Sequence, residues 1–368
     1  MDQNRLALLA LHFIPGIGDF LIKQLVSYCG SAEKVFTTPK GKLTKIYGVG
    51  AVTAKGIRDG NPFRIAEKEI IKAEKENVQL IFYIDSNYPS RLKQIGDAPT
   101  LLYTKGNIDF EACKTVGIIG TRRSTDYGRE RTAELVQGLV PHQALIVSGL
   151  AYGIDIQAHR EALNHKLPTI GIMGSGIDVI YPASHNEVVK RMLHNGGIVT
   201  ENPFHTKPDA HNFPARNRII AGLSDAIVVV EAAERGGALI TADIANSYNK
   251  EVFAFPGNIG RSFSEGCNNL IKSNSAHLIS SVNDLEFMMN WDLNAPPIAK
   301  KMTQSPDGFS AEEQTIIKIL RDNNNQLHVD DLSWRSGIVI GKLASVLLGL
   351  ELKGAIAAVP GKQYKLKI

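Results

Sequence analysis

The sequence predicts an α/β protein with a Rossmann-like, doubly wound and mainly parallel sheet. An N-terminal helical SAM-like (helix-hairpin-helix) domain and a C-terminal winged-helix-like domain are predicted on either side. Between about residues 115 and 290, short β-branched apolar runs alternate with helical patterns. This alternation is typical of a parallel sheet covered by helices on both faces. The length of 368 residues is enough for two or three domains.

Six strands are predicted in the central region. They are TVGIIG (115–120), ALIVSG (144–149), PTIGIMG (168–174), GIVTE (197–201), AIVVVEA (226–232) and EVFAFPG (251–257). Helical patterns lie between them in YGRERTAELVQGLV, GIDIQAHREALNH and ASHNEVVKRMLHNG. The segment before the first strand, VQLIFYIDSNYPSRLKQIGDAPTLLYTKGN, is interpreted as a link that leads into the sheet.

The predicted domains are 1–75 (SAM-like), 76–292 (Rossmann-like, with its leading segment) and 309–368 (winged-helix-like), with a linker at 293–308. Residues 1–75 contain two Gly-x-Gly turns, IPGIG and IYGVG, which fit either a DNA-contacting module or a plain helical domain. In the last domain, the third helix is strongly apolar. A docking or structural role is therefore as well supported as duplex DNA binding.

Composition excludes several classes of protein. With 43% hydrophobic and 21% charged residues, the chain has a globular composition, and a net charge of +4 permits a polyanionic partner without requiring one. Cys29, Cys113 and Cys267 are too far apart for a CxxC metal site or a disulfide framework. The sequence has no convincing signal peptide and no membrane-spanning apolar run. We therefore expect a cytoplasmic protein without membrane insertion or a bound metal.

Glycine-rich turns follow most of the predicted strands. They are GTRRSTDYG (120–128), SGLAYGIDIQAH (148–159), GSGID (174–178), ERGGALIT (234–241) and FPGNIG (255–260). Neither the dinucleotide fingerprint after the first strand nor a Walker A loop is present, which disfavours NAD and P-loop ATP chemistry and predicts no cofactor. Helix N-termini bind phosphate of any kind. Together with Arg122, Arg123 and the segment 213–218, these turns predict a phosphate track.

The stretch NFPARNRII (212–220) places two arginines at a predicted helix start. Pro214 suits the first helical position. Arg216 and Arg218 are about 200° apart on a helix, so we expect one to face an anion and the other to pair with a carboxylate or brace a loop. Phe213 is either a platform on which a base stacks or a hydrophobic staple at the helix start.

Other polar residues near the strand ends have ordinary structural explanations. His159 is predicted to pack on a helix face rather than to catalyse, because no nucleophile with a matching acid accompanies it. Glu201 and Glu231 end strands, and we expect each to neutralise a buried arginine rather than to act in catalysis.

The motifs GIIGTRRSTDYG, IVSGLAYGIDIQAH, GSGIDVIYPASH, FPARNRIIAGLSDAIVVVEA, GALITADIA, VFAFPG and SEGCNNLI, in this order, resemble the bacterial DNA-processing protein A family (DprA, also called Smf). The resemblance covers about residues 115–280. It implies a non-catalytic homodimer that binds single-stranded DNA and loads the RecA recombinase on incoming DNA in natural transformation. Two motifs depart from the family pattern: RGGALIT has Gly237 and Ala238 where the family has a glycine and a serine, and in NNLIKSNSA Ser275 replaces a glycine.

By motif, the resemblance places DNA binding on nine residues, with a looser alignment for Lys207. With the neighbouring Arg123 and Gly237, the predicted DNA-binding set is Arg122, Arg123, Ser148, Gly149, Gly153, Asp155, Lys207, Phe213, Arg216, Asn217, Arg218 and Gly237. The alternative function is a Rossmann-like hydrolase of nucleoside monophosphates. The P-G-G-x-G-T-x-x-E loop of such enzymes is missing, since ERGGALITADIA is the nearest approach to it.

Overall fold

The computed structural model describes residues 2–291, 309–323, 325–359 and 363–367. The chain divides into two units, Met1–Leu293 and Asn294–Ile368. The predicted linker at 293–308 lies outside the described residues.

Six helices begin the first unit. They are α1 (Gln3–His12), α2 (Asp19–Cys29), α3 (Ala32–Thr37), α4 (Lys40–Leu43), α5 (Ala51–Asp59) and α6 (Pro62–Lys75). Gly16 and Gly48 have φ angles of 80° and 83°, in the left-handed region where glycine is favoured, so each Gly-x-Gly sequence forms a tight turn. Leu8 and Leu25 share one buried apolar cluster with Tyr103. The helices therefore pack against one end of the sheet.

Nine strands form the sheet of the first unit, in the order β1-β2-β6-β5-β4-β3-β7-β8-β9. They are β1 (Gln79–Phe82), β2 (Leu101–Asn107), β3 (Thr115–Ile119), β4 (Leu145–Ser148), β5 (Thr169–Ile172), β6 (Gly196–Thr200), β7 (Ala226–Val229), β8 (Glu251–Ala254) and β9 (His277–Leu278). The six predicted strands are β3 to β8, and all six are confirmed. Strands β3 to β9 are parallel to one another, as the continuous apolar runs predicted.

The interpretation of 78–107 as a link is wrong, because this segment contains β1 and β2. They pair antiparallel, with Gln79 opposite Thr104, and β2 pairs antiparallel with β6, with Tyr103 opposite Thr200. Leu101 is almost fully buried. The apolar runs are short and are separated by a stretch rich in turn residues, so no strand–helix alternation marked them as part of the sheet.

The order of the strands changes direction at β3. From β3 the chain continues to β4, β5 and β6 on one side, and then returns to β7, β8 and β9 on the other. In open sheets of this type, ligands bind beyond the carboxyl ends of the strands at such a switch point. The loops after β3, β4 and β7 are therefore the expected site.

Eight further helices cover the sheet. They are α7 (Ser90–Lys93), α8 (Asp126–Gly138), α9 (Ile154–Asn164), α10 (Asn186–Met192), α11 (Asn212–Leu223), α12 (Gly237–Ser247), α13 (Glu265–Lys272) and α14 (Val282–Met288). The start of α11 is Asn212, two residues before the predicted Pro214. The proline remains within the first turn, where its missing N–H removes no intrahelical hydrogen bond.

The second unit has the predicted winged-helix pattern. Its elements are α15 (Ala311–Arg321), β10 (Gln326–His328), α16 (Val329–Ser336), α17 (Ile340–Leu352), β11 (Ile356–Val359) and β12 (Gln363–Leu366). The three-residue strand β10 was not predicted, and it pairs with β12. Leu343, Leu347 and Leu350 of α17 are buried in the core of this unit, which explains much of the apolar character of that helix.

Candidate nucleic-acid interface

A cavity of about 540 Å³ lies at the switch point of the sheet. Its walls come from the loops after β3, β4 and β7 and from the N-terminal parts of α11 and α12. Six residues of the predicted DNA-binding set line it: Arg122, Asp155, Phe213, Arg216, Asn217 and Gly237. The fold therefore brings together residues that are up to 115 positions apart in the sequence.

Phe213 and Arg122 form a stacked pair at this cavity. The guanidinium carbon of Arg122 lies 5.5 Å from the centroid of the Phe213 ring. Gly174 permits the position of this ring, since a Cβ there would lie 2.9 Å from the Cδ1 atom of Phe213. Arg122 is exposed and Phe213 is half-buried. The pair combines a flat aromatic surface with a cation, which suits a nucleotide base and its phosphate.

The glycine-rich loop after β4 is held close to its surroundings. Gly153 has a φ of 76°, and a Cβ there would lie 2.1 Å from the backbone oxygen of Thr121. A Cβ on Gly149 would lie 2.5 Å from Nη1 of Arg216. Ser148 is fully buried and donates to the backbone oxygen of Ile118 at 2.5 Å. The Ser148 hydroxyl therefore joins two strands and is not on the cavity wall.

Arg216 lies against the floor of the cavity and is 4% exposed. Its Nη1 donates to the backbone oxygens of Gly149, at 2.6 Å, and of Ile172. Burial lowers the pKa of Arg216 to about 10, although the nearby Asp155 carboxylate opposes that change. Burial also raises the pKa of Asp155, against the opposing effect of Arg216 and of the N–H groups of Gly149 and Ala151.

Arg218 lies elsewhere. Its Nη2 donates to Glu201, directly after β6, and to Asp19 of α2, the latter at 3.2 Å. Burial raises the pKa of Glu201 to about 7, although Arg218 opposes that rise. Arg218 is not among the described residues that line the cavity. The two arginines therefore have separate positions, as their helical spacing predicted, and Arg218 is the one that pairs with carboxylates.

Further cations are exposed, although Arg123 and Lys207 are not among the described residues that line the cavity. Arg123 and Lys207 of the predicted set are exposed, and neither side chain has an ion pair within the described part of the chain. Arg235, which was not predicted, lines the cavity and is also exposed and without an ion pair among these residues. Its position directly after the β7 loop, before two glycines, was the signal that could have identified it. These cations leave positive charge available for a polyanion.

The two strand-end carboxylates have different roles. Glu201 pairs with an arginine, as predicted, whereas the prediction for Glu231 is wrong. Glu231 accepts from the backbone N–H of Thr125, at 2.9 Å, and from its hydroxyl, at 2.6 Å, at the start of α8. His159 is fully buried with its Nδ1 2.7 Å from the Thr169 hydroxyl, which confirms a packing role.

Within the ranges that the structure describes, no group of three or more His, Cys, Asp or Glu side chains is placed to hold a metal ion. None of the described helices is long and apolar enough to cross a membrane.

Comparison with known families and proteins identifies the relationship. Residues 79–290 match the family model described as DNA recombination-mediator protein A, and residues 300–362 match that of the DprA winged helix domain. Protein Smf of Synechocystis is 32% identical over 97% of each chain. The crystal structure of DNA processing protein A from Streptococcus pneumoniae is 31% identical, with a TM-score of 0.69, over 77% of this chain and 98% of that one.

A second solved structure is that of DNA processing protein A from Helicobacter pylori, described for its single-stranded DNA binding mode. It is 30% identical with a TM-score of 0.53 and covers 58% of this chain and 96% of its own. The family model spans most of the sheet and its covering helices, and the Smf relative spans nearly the whole chain. The chain therefore belongs to the DNA recombination-mediator protein A (DprA/Smf) family.

Proposed function

We propose that this protein binds single-stranded DNA in the switch-point cavity. The observation that carries the proposal is the Arg122–Phe213 pair at a cavity that Arg122 and Arg235 line, neither of them in an ion pair with a described residue. Bases can stack on the ring while phosphates meet the guanidinium groups, and this combination tolerates any sequence. The single-stranded DNA binding described for the Helicobacter pylori relative supports the same function here.

We further propose that the bound strand is a substrate for recombination. In this proposal the protein acts in the cytoplasm as a homodimer and loads RecA on incoming DNA during natural transformation. Membership of the recombination-mediator family supports it. Loading is tested by the DNA-dependent ATPase of RecA on strands coated with single-strand binding protein. We expect the wild-type protein to shorten the lag before ATP hydrolysis, and an unchanged lag would contradict the loading role.

We propose no catalytic step. Asp155 is the one carboxylate among the described residues that line the cavity, and it is buried and accepts from two backbone N–H groups. A hydrolase of nucleoside monophosphates needs a carboxylate that reaches its substrate. Incubation with AMP tests this directly, because release of ribose phosphate would favour the hydrolase over the DNA binder.

The binding proposal is tested by fluorescence anisotropy with a labelled oligothymidine. We expect Phe213→Ala to weaken binding by about 5- to 150-fold, because base–aromatic stacking contributes about 1–3 kcal/mol per base. Phe287→Ala is the matched control, since Phe287 is an aromatic residue that is 84% exposed on α14 and absent from the described cavity wall. Equal affinities of Phe213→Ala and wild-type protein would contradict the proposal.

A further inference from the structure

The positive charge of this chain is concentrated in one short segment of the N-terminal helical region. Residues 40–58 contain no acid and five cations, which are Lys40, Lys42, Lys45, Lys55 and Arg58. The whole chain has 41 cations and 37 acids, so the remaining residues hold one acid more than they hold cations. The net charge of +4 therefore originates in this segment. Ordinary surfaces mix both signs, whereas a basic stripe confined to one element is typical of a nucleic-acid site.

Three of these five cations are free to meet a ligand. Lys40 pairs with Asp59 at 2.7 Å, and Arg58 donates to a backbone oxygen of α3. The other three are exposed, and within the described part of the chain none of their side chains forms an ion pair or a hydrogen bond; they are Lys42, Lys45 and Lys55. The turn at 46–50, which joins α4 to α5, therefore has unpaired lysines on both sides.

The turn between these lysines protrudes and is bare. Tyr47 and Val52, near its two ends, are each 85% exposed. Gly48 has a φ of 83°, which explains a glycine there. Gly50 has a φ of −81°, and a Cβ on it would meet no atom within 4 Å, so neither the backbone nor the packing requires a glycine at this position. A glycine without a structural reason is typical of a surface that the backbone of a partner approaches closely.

The first hairpin of the same helical region is used differently. Asp19, directly after the turn IPGIG, accepts from the backbone N–H of Thr100 at 2.7 Å and pairs with Arg218. Lys23 donates to the backbone oxygen of Ala98 at 2.8 Å. The first hairpin is therefore occupied by packing against the sheet, whereas the second presents its turn and its lysines to solvent.

We propose that the hairpin at residues 40–58 binds the phosphate backbone of duplex DNA. The single-strand site proposed above is a cavity with a stacking ring, whereas this surface is a protrusion with lysines on both sides of a turn. Lysines contact phosphates without reading the sequence, which suits the regular backbone of a base-paired helix. A protein with both sites would hold a junction, with the single strand in the cavity and the adjoining duplex on the hairpin. The inference goes beyond the proposed function, because the two sites use different residues.

Fluorescence anisotropy with three labelled DNAs tests the duplex site. They are an oligothymidine of about 12 nucleotides, a blunt duplex, and the same duplex with the oligothymidine as a tail of either polarity. We expect the tailed duplex to bind the wild type at least about fivefold more tightly than the oligothymidine does, because each phosphate contact with a duplex contributes about eightfold at about 0.1 M salt. The double variant Lys42→Gln, Lys45→Gln should lose this advantage and bind the oligothymidine as the wild type does.

The matched control is the double variant Lys68→Gln, Lys75→Gln. Both lysines are exposed on α6, outside the basic segment, and the change in net charge is the same, so the advantage of the tailed duplex should persist. Gly50→Asp separates binding from stability. Aspartate is a favoured N-cap residue and its Cβ has open space, so we expect a Tm no lower than that of the wild type. The same carboxylate would repel phosphate and abolish the advantage of the tailed duplex.

The outcomes separate this inference from the proposed function. If the wild type binds the tailed duplex no more tightly than the oligothymidine, or if the Lys42 and Lys45 variant behaves as its control does, the duplex site is overturned and single-strand binding stands. If the oligothymidine does not bind while the blunt duplex binds through Lys42 and Lys45, the single-strand function is wrong and the duplex site stands. Equal weakening of single-strand and duplex binding by Gly50→Asp would place the single strand on the hairpin and overturn the inference. Binding to phosphatidylserine vesicles without binding to the duplex would identify an acidic lipid surface and overturn it as well.

Discussion

Replacement of Arg218 by alanine should damage the fold and leave the DNA contacts intact. The Arg218 side chain is 15% exposed, and those of its partners Asp19 and Glu201 are 22% and 18% exposed. Removing one member of a buried ion pair costs about 3–5 kcal/mol, because the other charge remains without a partner. Since these groups retain some contact with water, we expect a loss of about 3 kcal/mol in the free energy of unfolding.

The loss of unfolding free energy in Arg218→Ala should increase with pH. Burial raises the pKa of Glu201 to about 7, so below that pH the residue is largely neutral and needs Arg218 least. Above it, ionised Glu201 would face Asp19 without a cation between them. Urea unfolding at about pH 5.5 and about pH 8.5 measures the difference, and we expect the larger loss on the alkaline side.

DNA binding by folded Arg218→Ala provides the second readout. For single strands, the slope of log K against log salt is about 0.7 per phosphate contacted. Because Arg218 is paired away from the cavity, its removal should leave this slope unchanged. Arg122→Ala should reduce the slope by about 0.7 with little change in stability. If Arg218→Ala reduces the slope while the protein remains as stable as the wild type, the reasoning is refuted.

Three other substitutions test the structure around the cavity. Gly153→Ala should lower the free energy of unfolding in urea by about 2–3 kcal/mol, because its φ of 76° and the oxygen of Thr121 oppose a side chain; wild-type stability would contradict the geometry. Glu231→Ala should cost about 1–2 kcal/mol in thermal unfolding by leaving the N–H of Thr125 without its acceptor, and a loss of DNA binding at unchanged stability would count against this role. Glu201→Gln should flatten the pH dependence of stability. The folded pKa of Glu201 is about 7, above its unfolded value, so this carboxyl contributes stability that is complete at low pH. That stability is lost as pH rises through 7, by at most about 1.4 kcal/mol per pH unit. Parallel pH profiles of Glu201→Gln and wild type would show that this carboxyl does not titrate as described.

Much of the architecture could be predicted because parallel strands buried on both faces leave a strong signal. Every residue of β3 is buried, and the run TVGII is accordingly free of charged residues and rich in β-branched ones. The edge strand β1 and its neighbour β2 leave a weaker signal, since β1 pairs with β2, and β2 depends on contacts with β6 nearly a hundred residues away. The two residues of β9 are too few to produce any pattern.

The candidate site could be predicted in composition but not in geometry. The spacing of Arg216 and Arg218 indicated that they face different directions, and they do. The sequence could not show which carboxylates Arg218 meets, because Asp19 lies 199 positions away. Nor could the sequence show that the hydroxyl of Ser148, next to Gly149, donates a hydrogen bond within the sheet. Arg235 was not predicted, because the motif ERGGALIT was interpreted from its glycines alone.

Photo-cross-linking tests the central claim most directly. An oligonucleotide that carries 5-iodouracil cross-links to aromatic side chains against which its bases stack, and mass spectrometry then identifies the residue. The Arg122–Phe213 pair predicts a cross-link on Phe213 that competes with unlabelled single strands and disappears in Phe213→Ala. Efficient cross-links confined to the C-terminal unit, or a pattern that Phe213→Ala leaves unchanged, would contradict the account.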